Sequence, residues 1–480
     1  MILDKLLQDV EVLFCSADKD MEIKGICYDS RLAKPGFMFV AVRGYETDGH
    51  KYIGKAAELG ASCIICEEKP EIDIPYILVK NSRLALALVS CNFYEHPAKK
   101  MKMIGFTGTS GKTSSTFILK HVLEQSIGAK VGLIGTNGNM IGQRLLHSER
   151  TTPESLELQE LLSQMYNEGC THVVMEVSSH ALSLDRVAGI HYDVAVFTNL
   201  SQDHLDFHKD MTDYASAKRL LFSRCDKAAV NIDDDWGSFI LKGCKCPVLS
   251  FSAKENQASL VAKDIRLTPG SVRFAAVYGD SLALIKLHIP GDFSVYNALG
   301  VTAAGLLLGI ELPVLSNAIG SAPGVKGRLE TVKTSRDYSV IIDYSHKPDA
   351  LEKVLKTLRA VTAGRLICLF GCGGDRDKLK RPIMGKIAAE NADLVIVTSD
   401  NPRTEEPHSI IEEIVQGVKE CSTPYKVIDD RVEAIHWALD NAMAGDVILL
   451  AGKGHEDYQI IGHEKHHMDE REIVAEYLHR

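Results

Sequence analysis

The sequence predicts an α/β protein of three domains, and three observations carry that prediction. The chain has 480 residues, more than one ordinary domain holds. From Met103 onward, short apolar runs alternate with helical periodicity, the pattern of parallel strands joined by crossover helices. Turn-prone segments at 96–100 and 323–328 divide the chain into three parts.

The first part, 1–97, has β-like runs at 37–42 and 63–66 and a helical pattern at 53–59 between them. His96, Pro97, Ala98, Lys99 and Lys100 close it. The second, 98–327, opens on an apolar strand at 103–106 that enters a glycine turn and then a helix. Strands follow at 130–134, 171–176, 194–198 and 228–231, and the part ends in a helix at 295–308 and a glycine-rich connection. The third, 328–480, places strands at 339–343, 366–370, 394–398 and 447–451. Each is apolar on both sides, as strands covered on both faces are. The first part reads as a small α/β unit, and the second and third as parallel sheets with crossover helices.

Bulk properties narrow the function. Net charge is −10 and the isoelectric point is near 6.0, which argues against nucleic-acid binding as the main role, since a phosphate-tracking surface needs a basic excess. Hydrophobic residues make up 45% and charged residues 25%, enough to build ordinary globular cores. The start, Met1-Ile2-Leu3-Asp4-Lys5, lacks the basic and apolar regions of a signal peptide. The apolar stretch 298–310 is interrupted by Gly300, Thr302, Gly305 and Gly309; it is too short to span a bilayer and is expected to be a buried helix. Twelve cysteines lack regular spacing. Cys63 and Cys66 lie in a strand and are expected on opposite faces. Free thiols and a cytoplasmic location are expected.

The sharpest local signal is Gly108-Thr109-Ser110-Gly111-Lys112-Thr113-Ser114 between a strand and a helix. Glycines let the backbone curl so that N–H groups surround a phosphate, and the helix N-terminus adds partial positive charge. Lys112 is expected to reach the β- and γ-phosphates, and Thr113 to offer its hydroxyl to Mg²⁺. Phe106 stands where the usual first glycine of such a loop would be.

Polar groups collect at the carboxyl ends of the next strands, where open α/β sheets bind ligands. Glu176, in Met175-Glu176-Val177-Ser178-Ser179-His180, could hold Mg²⁺, but taken alone it reads more readily as a solvated strand-end acid. After Phe197 come Asp203, His204, Asp206 and His208, two histidines and two aspartates within six residues, a candidate metal or phosphate site. Lys218 reads on its own as a helix-surface lysine. In the third part four polar loops follow strands: 343–348, 371–377, 400–403 and 452–457. Together they predict a binding surface.

These segments, in this order from Asp29-Ser30-Arg31 to Gly452–Glu456, resemble the Mur ligase family over essentially the whole chain. The resemblance implies an N-terminal UDP-binding domain, a central P-loop ATPase and a C-terminal Rossmann-like domain. It also implies an ATP- and Mg²⁺-dependent amide-bond ligase of peptidoglycan precursor synthesis, acting as a monomer. Within the family, Asp400-Asn401-Pro402-Arg403 matches the diaminopimelate-selecting motif of the tripeptide-synthesising branch. The implied substrates are ATP, UDP-N-acetylmuramoyl-L-alanyl-D-glutamate and meso-diaminopimelate.

Carried over by the resemblance, Arg376, Gly452 and Glu456 join the 400–403 motif around the amino acid. Ser30, Tyr45, Glu46, Thr47, Thr151, Thr152, Ser178 and Arg186 contact the UDP-sugar-peptide. Asn297, Arg328, Asp343 and His346 surround the nucleotide. Glu176 and His204 are magnesium ligands, and Lys218 is a carbamylated lysine (N6-carboxylysine). The chain departs from the family at Ser110 for asparagine, Ser114 for threonine, Leu184 for a glutamine of some relatives and Tyr45 for a histidine of some. The competing readings are a related Mur or folylpolyglutamate-type ligase with another acceptor such as L-lysine, and a non-catalytic ATP-dependent binding protein.

Overall fold

A computed structural model describes residues 1–480 except Tyr45, Glu46, Glu149, Lys333 and Arg480. The fold is mixed α/β. It divides into two compact units, 1–260 with 300–311, and 261–299 with 312–480.

The first unit contains two sheets. Its N-terminal sheet has five strands: β1 (Val12–Cys15), β2 (Gly25–Cys27), β3 (Phe37–Val40), β4 (Cys63–Cys66) and β5 (Tyr76–Val79), in the order β1-β5-β4-β3-β2. Only β1 runs antiparallel to its neighbour. Strand alternation puts Cys63 and Ile65 in one core and Ile64 and Cys66 in another, so the two thiols face apart as expected. Helix Ser82–Phe93 is capped by Asn81, whose side chain accepts the Leu84 N–H, and it lays Ala85, Leu86 and Val89 on the Cys63 side.

The second sheet of this unit carries the glycine turn. Its strands are β6 (Lys102–Thr107), β7 (Val131–Ile134), β8 (Asn139–Ile141), β9 (Arg144–Leu146), β10 (His172–Glu176), β11 (Tyr192–Phe197), β12 (Cys225–Asn231) and β13 (Val248–Ser252). They are ordered β13-β12-β11-β6-β10-β7-β8-β9. From β13 to β7 all neighbours are parallel; β8 and β9 add an antiparallel edge. The chain leaves β6 for β7 beyond β10, returns to β10, and crosses to β11 on the other side of β6. That reversal opens a crevice at the carboxyl end of β6, where a ligand is received.

The second unit begins at Val261; along the chain, β14 (Leu260–Thr268), β15 (Ser271–Tyr278) and β16 (Ser281–Leu287) precede helix Phe293–Leu307. The β15/β16 pair is an antiparallel hairpin in unbroken register. The sequence reading leaves 260–287 unassigned. Its signal is alternation: Val272, Phe274 and Ala276 are buried while their neighbours are not. A six-stranded sheet follows, built from β17 (Glu330–Val332), β18 (Ser339–Asp343), β19 (Leu366–Phe370), β20 (Leu394–Val397), β21 (Tyr425–Val427) and β22 (Val447–Ala451) in the order β17-β18-β22-β19-β20-β21. Only β17 is antiparallel. Every residue of β19 and β22 is buried, which is why their sequences read as continuous apolar runs. The hairpin of β23 (Tyr458–Ile461) and β24 (Glu464–His467) stands apart as a two-stranded sheet.

The apolar stretch at 298–310 supplies the body of helix Phe293–Leu307, as expected. Among the described residues no helix is long and apolar enough to cross a membrane. All twelve cysteines are free thiols.

Candidate active site

In the first unit the phosphate loop is built by β6, the helix that follows it and the loop after β11. Gly108 has φ +152°, and a Cβ there would lie 1.9 Å from Thr198 Oγ1. Only glycine lets the two loops approach this closely. Thr109 N–H donates to the Asn199 carbonyl at 2.9 Å and Ser110 N–H to Asn199 Oδ1 at 2.9 Å, while Thr198 Oγ1 donates to the Ser110 carbonyl at 2.8 Å. Gly111 is the N-cap of helix Lys112–Ile127 and supplies no capping side chain, so the helix opens toward the crevice with its dipole end uncovered. Lys112 folds back on the loop and donates to the carbonyls of Gly108 at 2.7 Å and Thr109 at 3.0 Å.

Glu176 is buried, with 1% of its surface exposed, which corrects its reading as a solvated acid. Its carboxylate accepts the Thr113 hydroxyl at 3.1 Å, the Thr136 N–H at 2.9 Å and the Thr136 hydroxyl at 3.2 Å. A hydroxyl and a carboxylate in contact form a hard-oxygen donor set suited to Mg²⁺. His204 takes a left-handed backbone, φ 54°, and its ring lies edge-on to His180 at 4.9 Å. Burial lowers its pKa, helped by the charges of Lys218 and Lys112, and this favours the neutral imidazole that ligates metals. Among the described residues, Glu176 bonds Thr113 and Thr136 while the His204 ring neighbours His180 and Tyr214. Among the described residues no three His, Cys, Asp or Glu side chains converge as a metal cluster.

Lys218 is also buried, at 1% exposed, and is not the surface lysine that its helix pattern predicts. Its Nζ donates to the Gly108 carbonyl at 2.8 Å and lies 4.4 Å from the Tyr214 ring centre. Burial first, then the neighbouring Lys112 charge, pulls its pKa well below the ordinary lysine value.

A cavity of about 500 Å³ in the same unit is lined by Ser30, Thr47, Tyr52, Arg83, Arg150 and Glu154, among others. Tyr45 and Glu46, also expected around the sugar-peptide, lie outside the described residues. Nearer the phosphate loop, the Thr151 hydroxyl is 2.9 Å from that of Thr136. Thr152 Oγ1 donates to the Glu176 carbonyl at 2.8 Å and accepts the Ser178 N–H at 3.2 Å. Ser178 caps helix Ser179–Ser183. Arg186 donates to the Thr152 carbonyl at 3.3 Å and pairs with Glu154 at 2.8 Å. Thr151, Thr152, Ser178 and Arg186 thus join Glu176 through one chain of contacts.

The loops of the second unit gather at the carboxyl ends of β18, β19, β20 and β22. Asp343 is buried, and its carboxylate accepts the Leu329 N–H at 2.8 Å and the N–H and hydroxyl of Ser345. Burial raises its pKa against these donors and against Arg328. Arg328 lies 5.4 Å from the Tyr344 ring, and His346 Nδ1 is 2.9 Å from the Tyr344 carbonyl. Asn297 is buried in the helix before them.

At the other end of the cluster, Gly374 N–H donates to the Asn401 carbonyl at 2.9 Å, and a Cβ on Gly374 would meet the Pro402 carbonyl at 1.9 Å. Arg403 adopts φ 52° and donates to the Gly374 carbonyl at 2.8 Å. Glu405 pairs with Arg381 and Lys378 instead, and Glu406 caps a helix, so neither neutralises Arg403. Arg376 bonds the Asp375 carbonyl at 3.2 Å. Gly452, φ +110°, sits against Asp400, and Asn401 Nδ2 donates to Glu456 Oε2 at 2.9 Å.

Comparison with known proteins decides the family. The Mur ligase family catalytic domain matches residues 22–99, the Mur ligase middle domain 106–305, and the Mur ligase glutamate ligase domain 327–454. The chain is 49% identical to a UDP-N-acetylmuramoyl-L-alanyl-D-glutamate–2,6-diaminopimelate ligase of Caldanaerobacter subterraneus, over 96% of this chain and 95% of that one. It is 46% identical to a protein of the same name, numbered 1, from Clostridium acetobutylicum, over 100% and 99%. The chain belongs to the Mur ligase family.

Solved Mur ligases share the architecture. One described as a UDP-N-acetylmuramoyl-L-alanyl-D-glutamate–2,6-diaminopimelate ligase superposes with TM-score 0.77 at 30% identity, over 100% of this chain and 99% of that one. MurF ligase from Thermotoga maritima, solved with ADP, has the same fold at TM-score 0.60 and 22% identity, over 96% and 98%. This Mur ligase also holds two site residues, Arg381 and Lys453, that sequence reasoning passed over, and His208 of the predicted His/Asp cluster is placed by the fold. Arg381 is wholly buried and bonds Glu405 and Glu413. His208 bridges Ser179 Oγ at 3.0 Å and Asp213 at 3.3 Å. Lys453 lies buried among Asp400, Asn401 and Glu456. A lysine between two glycines was the available signal for Lys453; Arg381 carries none without the fold.

Proposed function

We propose that this Mur ligase joins meso-diaminopimelate to the D-glutamate side-chain carboxylate of UDP-N-acetylmuramoyl-L-alanyl-D-glutamate, with ATP, in peptidoglycan precursor synthesis. The carboxylate oxygen takes the γ-phosphoryl group and ADP departs. The diaminopimelate amine then attacks the carbonyl carbon of the acyl phosphate, losing a proton, and phosphate leaves. The observation that carries this reading is the loop cluster at Asp400, Asn401, Arg403 and Glu456: two carboxylates for an ammonium beside a guanidinium for a carboxylate. The names borne by the relatives point to the same acceptor.

Gly108, Thr109, Ser110, Gly111, Lys112, Thr113 and Ser114 would hold the ATP phosphates. Asn297, Arg328, Asp343 and His346 would bind the rest of the nucleotide. Thr113, Glu176, His204 and a carbamylated Lys218 would hold Mg²⁺, whose chemistry there is to neutralise phosphate and carboxylate charge. Lys112 adds a cation at the γ-phosphate. Ser30, Thr47, Thr151, Thr152, Ser178 and Arg186 would orient the sugar-peptide, and Arg376, Pro402 and Gly452 complete the acceptor loops. The three segments matched by the family support domains at 1–97, 98–327 and 328–480. A cytoplasmic monomer without a nucleic-acid partner remains part of the proposal.

The test is an acceptor screen. With ATP, Mg²⁺ and the UDP-dipeptide, mass spectrometry should find one ligated product, that of meso-diaminopimelate. ATP hydrolysis indifferent to both UDP-dipeptide and amino acid would instead describe a nucleotide-binding switch.

A further inference from the structure

Lys453 occupies the centre of the candidate acceptor loops, and no part of its side chain is exposed. Its Nζ donates to Asn401 Oδ1 at 2.8 Å and lies 3.3 Å from both Asp400 Oδ1 and Glu456 Oε2. Asn401 Oδ1 also accepts the Ile460 N–H at 2.9 Å. Two donors converging on one atom make it the amide oxygen. The amide nitrogen is then committed to Glu456 Oε2, 2.9 Å away. Lys453 therefore sets the orientation of Asn401 and takes one oxygen from each carboxylate.

The second oxygens are left over. Asp400 Oδ2 and Glu456 Oε1 make no hydrogen bond among the described residues. A Cβ at Gly452 would lie 3.0 Å from Asp400 Oδ2, so the glycine keeps that oxygen clear. Two carboxylates and one ammonium carry one net negative charge. Without the lysine, two like charges would face each other in a nearly closed site. With it, the trio is one cation short of neutrality.

We infer that Lys453 is a positioning residue for the ammonium at the far end of the acceptor. It holds Asp400 and Glu456 by one oxygen each, so that the free oxygens receive that ammonium. The inference rests on the acceptor reading above and adds to it the residue that sets amine selectivity.

Lys453→Met and Lys453→Gln, in the full-length protein, test it. Each is assayed with meso-diaminopimelate and with 2-aminopimelate, which keeps the far carboxylate but lacks the far ammonium. Positional isotope exchange in ATP, dependent on the UDP-dipeptide and needing no acceptor, reports the rest of the site. KM for diaminopimelate should rise about tenfold or more, a loss of the order expected for a broken charged hydrogen bond. The kcat should stay within about threefold, KM for 2-aminopimelate should barely change, and exchange should persist. An unchanged preference for diaminopimelate over 2-aminopimelate overturns the inference. So does loss of exchange in both variants, which would make Lys453 structural only. Wild-type protein that ligates no diaminopimelate overturns the acceptor reading itself, and the inference with it.

Discussion

The Nζ of Lys218 and the carbonyl oxygen of Gly108 are 2.8 Å apart, and the same oxygen accepts Lys112 Nζ at 2.7 Å. One carbonyl thus holds two lysines, one of them buried. Burial and the second charge favour the neutral amine at Lys218. A neutral amine adds to CO₂, forming the N–C bond and releasing a proton, to give a carbamate. Lys218→Ala should be nearly inactive and partly rescued by a small carboxylate such as acetate. Full activity of Lys218→Ala in bicarbonate-free buffer would rule the carbamate out.

Gly108→Ala should damage the same loop by a different route. The new Cβ meets Thr198 Oγ1 at 1.9 Å, and φ +152° is foreign to L-residues. Backbone strain of this kind costs about 1–3 kcal/mol, so chemical denaturation should show a loss of that order, with ligation reduced more than stability. Adding Thr198→Ala relieves the clash but not the φ. The double variant should recover only in part; complete recovery would show that the backbone conformation is unimportant.

Among the described residues the Arg403 guanidinium donates to a carbonyl, that of Gly374 at 2.8 Å, and forms no ion pair within salt-bridge distance. Its guanidinium therefore keeps its charge for the far carboxylate of the acceptor. Lysine lacks that carboxylate and leaves the arginine short of a partner, which costs about 1–3 kcal/mol or more. Wild-type kcat/KM should favour diaminopimelate by about fivefold to more than a hundredfold. Arg403→Ala should narrow the gap by lowering diaminopimelate use far more than lysine use. An unchanged preference in the variant would remove Arg403 from the site.

Glu405 supports that loop from behind. Its hydrogen bonds to Arg381 hold the carboxylate down to about 2, from an ordinary 4.5. A carboxylate with a lowered folded pKa contributes stability in full above its unfolded value, and that contribution is lost as pH falls through the folded value. The window is therefore about pH 4.5 down to 2. Glu405→Gln should melt below wild type at neutral pH, and the difference should shrink across this window. A difference independent of pH would mean that packing, not charge, holds the loop.

The sequence by itself determined the alternating α/β plan, the phosphate loop at 108–114 and the four polar loops of the third part, because these are local. A strand, a glycine turn and a helix follow one another along the chain, and their periodicities are visible without a partner. The same holds for Cys63 and Cys66, whose opposite faces follow from strand alternation. The tertiary structure alone decided the burial of Glu176, Lys218 and Lys453. Each reads as an ordinary polar residue in its own segment. Glu176 meets Thr113 and Thr136 from two other segments, Lys218 meets Gly108 across 110 positions, and Lys453 meets Asp400 across 53. A side chain's charge environment is set by which distant segments fold over it, and no window of sequence contains that information.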